Sequence, residues 1–275
     1  MYARGFVLVL VLLASTAALW APPAVGAPGE TRVGANFSYH EVPYGEVRGL
    51  RVEIWRDGVK VVDRPATIPC EGCEPQPMPG GYSTKPVRVV QLDSTPEPEV
   101  VFTILSAGAH CCAFAKIFRW DAGLERYLDS THNFYDGIYL LQDLRHNGIP
   151  LFVDTDTLLA YRFSCYACAI YPPQISEYRT GQIVDVTPRF PREIKENLTK
   201  ARRSYRRIRP HDGRGMLATV AADYCLLGRC GAGFAFVRRA ISRGRASGNE
   251  PHFEGSRGRK FIPALRRFLH AHGYL

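Results

Sequence analysis

The stretch Gln182-Ile-Val-Asp-Val-Thr-Pro-Arg-Phe-Pro191-Arg-Glu-Ile-Lys-Glu-Asn-Leu-Thr-Lys-Ala-Arg-Arg-Ser-Tyr-Arg-Arg207 changes grammar in its middle. Gln182 to Val186 is short and β-branched, which suits a strand. Pro191 suits the first turn of a helix, where a missing N–H costs nothing, and Arg192 to Arg207 has no Gly or Pro to interrupt it. Everything upstream continues the first pattern and everything downstream continues the second.

Upstream, apolar runs bounded by Gly, Pro, Asp or Asn predict strands at 50–55, 59–62, 87–92, 100–105, 115–120, 151–154, 159–163, 174–178 and 182–186. Arg56-Asp57-Gly58 and Thr180-Gly181 are placed as tight hairpin turns, because Gly accepts the positive φ that such turns need. Downstream, Met216, Val220, Tyr224 and Leu227 recur at helical spacing, as do Phe234, Val237 and Ile241, and then Phe261, Leu265 and Phe268. Gly228, Gly231 and Gly244 are read as helix stops. The expected class is α+β: an antiparallel β-rich domain over 28–190, a partial propeller-like sheet or a sandwich, followed by a small basic helical domain over 191–275.

Residues 1–27 form a third unit. Arg4, the apolar run Phe6 to Ala14 and the small residues Ala24 to Ala27 have the three-part form of a secretory signal peptide, with cleavage after Gly26 or Ala27. The apolar core is shorter than the roughly 20 residues that span a bilayer. The expectation is an exported chain, periplasmic or extracellular, with no transmembrane segment once the signal is removed. The sequons at Asn36 and Asn197 matter only in a eukaryotic source.

With 275 residues, 46% hydrophobic and 22% charged, the chain is long enough for one or two globular domains and is neither collagen-like nor acidic-tailed. Charge divides where the pattern does. Residues 1–190 carry 16 Lys+Arg and 20 Asp+Glu, net −4; residues 191–275 carry 19 and 6, net +13, and together these give the total of +9. Such asymmetry points to an anionic partner. For an exported chain that means anionic lipid, cell-wall polymer or an acidic protein face, and not nucleic acid. Arg202, Arg203, Arg206 and Arg207 are the candidate contacts, set against the plainer reading of a solvated basic helix face.

Cys70, Cys73, Cys111, Cys112, Cys165, Cys168, Cys225 and Cys230 are even in number and all follow the signal, so an oxidising compartment predicts disulfides. Their connectivity is open, with a local set and long-range sets both compatible with the spacing. The two Cys-x-x-Cys pairs are also the spacing of half a zinc site and of a redox dithiol, which rank below structural bridging. His110 and Cys112 share a strand face and could start a thiol dyad; Asp154 and Asp156 could serve a two-carboxylate hydrolase. Nucleophile-elbow, phosphate-loop, His-Glu-x-x-His and kinase motifs are absent. The functional expectation is therefore an exported non-catalytic binding or structural module, with an extracytoplasmic enzyme, carboxylate-based or thiol-dependent, as the alternative.

Gln91-Leu-Asp93-Ser-Thr-Pro-Glu-Pro-Glu99-Val-Val101 and Asp143-Leu-Arg-His-Asn147-Gly-Ile-Pro-Leu-Phe-Val153 resemble degenerate copies of the FG-GAP/VCBS repeat element. The resemblance implies integrin-α-type β-propeller blades, whose loops often hold calcium. Both copies depart from the ligand pattern. Asp93 and Glu99 remain in the first, Asp143 and Asn147 in the second, so turn geometry is expected, with weak calcium binding at most and no other cofactor.

Overall fold

The computed structural model describes residues 31–42, 47–78, 85–106, 112–207, 213–246 and 260–275. The signal segment 1–27, His110 and Cys111 lie outside the described residues. The class is α+β, with three antiparallel sheets ahead of four helices among the described residues.

The first sheet is the meander β1 (Val33–Glu41), β2 (Val47–Arg56) and β3 (Val59–Pro65). Its β2–β3 turn has Asp57 at φ 51° and Gly58 at φ 83°, the doubly left-handed geometry that matches strand twist. In the second sheet, β4 (Gln76–Pro77) and β5 (Val87–Val90) share one edge of β6 (Glu99–Leu105), and β7 (Ala113–Asp121) and β8 (Arg126–Asn133) follow. The third sheet is β9 (Leu140–Gln142), β10 (Leu151–Thr155), β11 (Pro173–Arg179) and β12 (Gln182–Asp185), paired in chain order.

These sheets stack, and the period of two in β6 and β7 explains how. Val100, Phe102, Ile104, Phe114 and Phe118 pack on Phe37, Leu50, Val52 and Ile54 of the first sheet. Val101, Ala113, Ala115 and Ile117 turn the other way, onto Phe134, Tyr139, Phe152 and Tyr178 on the side of the third sheet. The middle sheet is buried on both faces, which is why Glu99 to Leu105 reads as an almost unbroken apolar run. The far face of the third sheet buries Leu151, Ile175, Val186 and Phe190.

The helices are α1 (Pro191–Arg207), α2 (Arg214–Leu226), α3 (Cys230–Ser242) and α4 (Phe261–Ala271). α2 is buried on nearly every side, the position of a central helix. Its core joins Met216, Leu217, Ala221, Phe234, Val237, Phe261, Leu265 and Phe268 to Leu159, Phe163 and Tyr171, which belong to the β10–β11 connection. The helical core thus reaches back into the chain before residue 190.

That connection corrects one expectation. Residues 159–163 do not form a strand; a 3-10 turn at Thr157–Leu159 leads into irregular turns. Leu159 and Phe163 are four apart and both dive into the helical core, a helix-like spacing that a short apolar run shares with a buried strand. Gly231 lies in the first turn of α3 and stops nothing, whereas Gly228, at φ 69°, does follow the end of α2. β1, the short strands β4 and β9, and the polar edge strand β8 have no counterpart among the expected strands.

Candidate functional site

Both repeat-like segments form turns whose oxygens already accept hydrogen bonds from their own loop. In the first, Gln91 Nε2 donates to the carbonyl oxygens of Asp93 (2.8 Å) and Thr95 (2.6 Å). Asp93 Oδ1 accepts from the Thr95 amide (2.8 Å) and hydroxyl (2.6 Å). Glu99 is fully buried and accepts from the Leu92 amide at 2.8 Å. Burial pushes its carboxyl up to about 7, and that amide opposes the shift. The Gln91 amide sits among carbonyls that a cation would otherwise draw together.

In the second segment Asp143 accepts from the amides of Gly148 (2.8 Å) and Asn147 (3.1 Å), and the former holds its carboxyl below the usual range. Asn147 Oδ1 accepts from the Ile149 amide at 3.1 Å. Arg145 leaves the loop altogether, its Nη2 lying 2.5 Å from Glu177 Oε2.

Asp154 and Asp156 are close in sequence but have separate surroundings. Asp156 Oδ1 caps the 3-10 turn by accepting from the Leu158 amide (3.0 Å), and Oδ2 accepts from the Tyr274 hydroxyl (2.6 Å). That second bond ties the end of the chain to the third sheet. Asp154 is 8% exposed, and its Oδ2 has no hydrogen-bond partner. It presses on Gly137, where a Cβ would fall 1.9 Å from Oδ2, so only glycine fits opposite it. Burial first, then the charges of Asp156 and Asp136, raise the Asp154 carboxyl to about 7.

Cys70–Cys73, Cys165–Cys168 and Cys225–Cys230 are disulfides, and the last spans the α2–α3 turn. Cys112 is also disulfide-bonded. Sulfur so engaged offers neither a thiolate nucleophile nor a zinc ligand in this state. The pairing is the local one for these three pairs, and it fits an oxidising compartment.

The four candidate arginines of α1, Arg202, Arg203, Arg206 and Arg207, divide. Ile194, Leu198, Ala201 and Tyr205 form the buried stripe of the helix. Arg202 borders that stripe and lies half-buried over the Phe236 ring of α3, 5.6 Å from its centroid. Arg203, Arg206 and Arg207 are exposed and have no ion pair among the described residues. Arg192, Lys195 and Lys200 extend the same outward face, where Glu196 is engaged by Arg192 at 3.2 Å.

One cluster escaped the sequence reading. Glu177, at 7% exposure, gathers Arg145, Arg179 and, at 3.9 Å, Arg189. Despite burial, the Arg145 hydrogen bond and the charges of Arg145 and Arg179 keep its carboxyl below the usual range. These residues line a cleft of about 430 Å³ together with Asp93 and Ser94. Its members come from the first loop, the second loop, β11 and the turn before α1, and no local motif joins them.

Among known proteins the chain is similar over 173 residues, at 29% identity, to the Probable thylakoid lumen protein of Synechocystis sp.. The match covers 60% of this chain and 51% of that protein. It is also similar over 106 residues, at 30% identity, to an uncharacterized protein of Sinorhizobium fredii, covering 36% of this chain and 16% of that one. The chain thus matches about half the length of the first relative and much less of the second. No family model matches it, and no solved structure matches it significantly. Among the described residues no helix is long and apolar enough to cross a membrane.

Proposed function

We propose that this protein is an exported, non-catalytic module, periplasmic or extracellular, that engages an anionic surface or polymer through the outward face of α1. The carrying observation is the run of cations Lys195, Lys200, Arg203, Arg206 and Arg207, without an ion pair among the described residues, on a helix whose opposite stripe is buried. A positive field of this kind raises the local concentration of anionic partners. The disulfides and the similarity to a protein named for the thylakoid lumen support an extracytoplasmic site of action. The stacked meanders, with a repeat-like turn before β6 and another before β10, support reading the β part as degenerate propeller blades.

The test uses the whole chain without its signal, because the helical core includes residues before 190. Vesicles of phosphatidylglycerol and phosphatidylcholine should retain it at low salt, vesicles of phosphatidylcholine alone should not, and dextran sulfate should compete. Binding should fade toward 1 M salt, as the screening length falls from about 10 Å at 0.1 M to about 3 Å. Replacing Arg203, Arg206 and Arg207 by Gln should abolish retention; an unchanged variant returns these residues to a solvated face. An enzymatic reading stands second, on the unpartnered Asp154 oxygen, and turnover lost in Asp154→Asn but kept in the α1 variant would put it first.

A further inference from the structure

We propose that the cleft between the two turn loops and the β11–β12 hairpin is a binding site for a dianionic oxyanion, a phosphate or sulfate group. It is separate from the α1 face, since Arg203, Arg206 and Arg207 do not line it.

Glu177 is the fixed point. Its carboxylate is almost wholly buried and faces three guanidiniums: Arg145 at 2.5 Å, Arg179 in direct contact, and Arg189 at 3.9 Å. Across the cleft, the other charge lining it among the described residues is Asp93, whose Oδ1 is taken by Thr95. Three cations therefore face two anions, and one of those anions is turned to its own loop.

The donor count is more uneven than the charge. Each guanidinium carries five N–H donors, fifteen in all, and a carboxylate offers about four acceptor sites. Arg145 is the most enclosed of the three and holds Glu177 in place. Arg179 and Arg189 keep 51% and 61% of their side chains exposed, so the N–H groups they do not turn to Glu177 can close on a ligand at the mouth. Planar guanidiniums recognise phosphate and sulfate by paired N–H···O bonds, a geometry that ammonium groups lack. The Ser94 hydroxyl on the opposite rim is a further donor. A volume of about 430 Å³ exceeds one phosphate and lies in the range of small-ligand sites, so the anion can be the end of a larger ester.

The construction also gives the repeat-like turns a role without a cation. The first turn, closed by Gln91, brings Asp93 and Ser94 to one wall, and the second, closed by Asp143, sends Arg145 to the other.

Calorimetric titration of the whole chain with inorganic phosphate, at constant ionic strength in chloride, tests the site. Saturable one-to-one binding is expected, with sulfate competing and acetate much weaker. Arg179→Gln with Arg189→Gln should weaken phosphate binding about tenfold or more, because two charge-assisted donor sets are lost. Its melting temperature should hold, since Arg145 stays on Glu177. The triple Gln variant of α1 should bind phosphate normally while losing vesicle retention, so failure of one proposal leaves the other readable. An absence of saturable heat, equal binding of acetate, or indifference to the Arg179 and Arg189 changes would each overturn the assignment.

Discussion

The β part and the helical part handle charge in opposite ways. In the sheets, opposite charges from distant segments meet: Lys116, 5% exposed, lies 2.7 Å from Asp129, which Arg64 reaches at 2.6 Å. Arg56 pairs with Glu97 at 2.7 Å and lies 4.3 Å from the Trp120 ring centroid. On α1 the cations Lys195, Lys200, Arg203, Arg206 and Arg207 face outward with no ion pair among the described residues, whereas Asp223 of α2 is fully buried. It accepts from Asn197 at 2.9 Å, while its Oδ1 has no partner. Adjacent strands bring remote residues side by side, so a sheet can pair its charges across the stack. A helix sorts residues by face, so the excess charge of α1 is left on its solvent side.

The sharpest way to break this division is to ask whether the two parts stand alone. Phe163 belongs to the β10–β11 connection, yet its ring meets those of Phe261 and Phe268 edge-on at 5.5 and 5.6 Å. Phe163→Ala should cost about 3–5 kcal/mol, the usual loss for a buried aromatic. Chemical denaturation followed by helical circular dichroism should show the full loss. A variant that leaves the helical transition unmoved would mean that the helices form their core without the connection.

Phe163 also marks the limit of what the sequence makes legible. The hairpin at Asp57-Gly58 and the four helices are local events, set by glycine conformation and by a 3.6-residue period within one segment. Phe163 is decided by partners about 100 residues away, so its spacing could be read either as a strand or as a helical face. The functional clusters divide similarly. The Asp143 turn is visible because Asp, Asn and Gly lie within six residues. The cleft around Glu177 is invisible because Asp93, Arg145 and Arg189 become neighbours only when the second and third sheets stack.

A second test sharpens the contrast between paired and unpaired buried charge. Burial raises the Asp223 carboxyl to about 8, and the Asn197 hydrogen bond only partly offsets this. The folded protein therefore holds the proton more tightly than the unfolded chain, whose Asp titrates near pH 3.9. Stability from this group is full below about pH 4, falls as pH rises, and levels off past about 8. Asp154 and Glu99, both raised to about 7, slope the same way. Asp223→Asn should flatten the loss between pH 5 and pH 8, gaining about 1–3 kcal/mol over the parent at pH 8, in proportion to the pH units removed. Urea titrations at both pH values measure it, and parallel slopes in parent and variant would mean that Asp223 is charged in the fold.

The smallest effect is expected where charge is densest. Arg203, Arg206 and Arg207 lie at i,i+3 and i,i+4 spacings, where like charges destabilise a helix by about 0.2–0.5 kcal/mol per pair. They also occupy the last turns of α1, where cations gain a similar amount from the helix dipole. Gln has nearly the propensity of Arg, so propensity does not tip the balance. The two electrostatic effects oppose one another and both are screened, so the triple Gln variant should match the parent within about 0.5 kcal/mol. Melting curves at 10 mM and 300 mM salt should superimpose for the two proteins to that precision. A variant clearly less stable than the parent would show that these arginines contribute to the fold itself, as Arg202 does over Phe236. Equal stability together with lost vesicle retention would assign their charge to the partner.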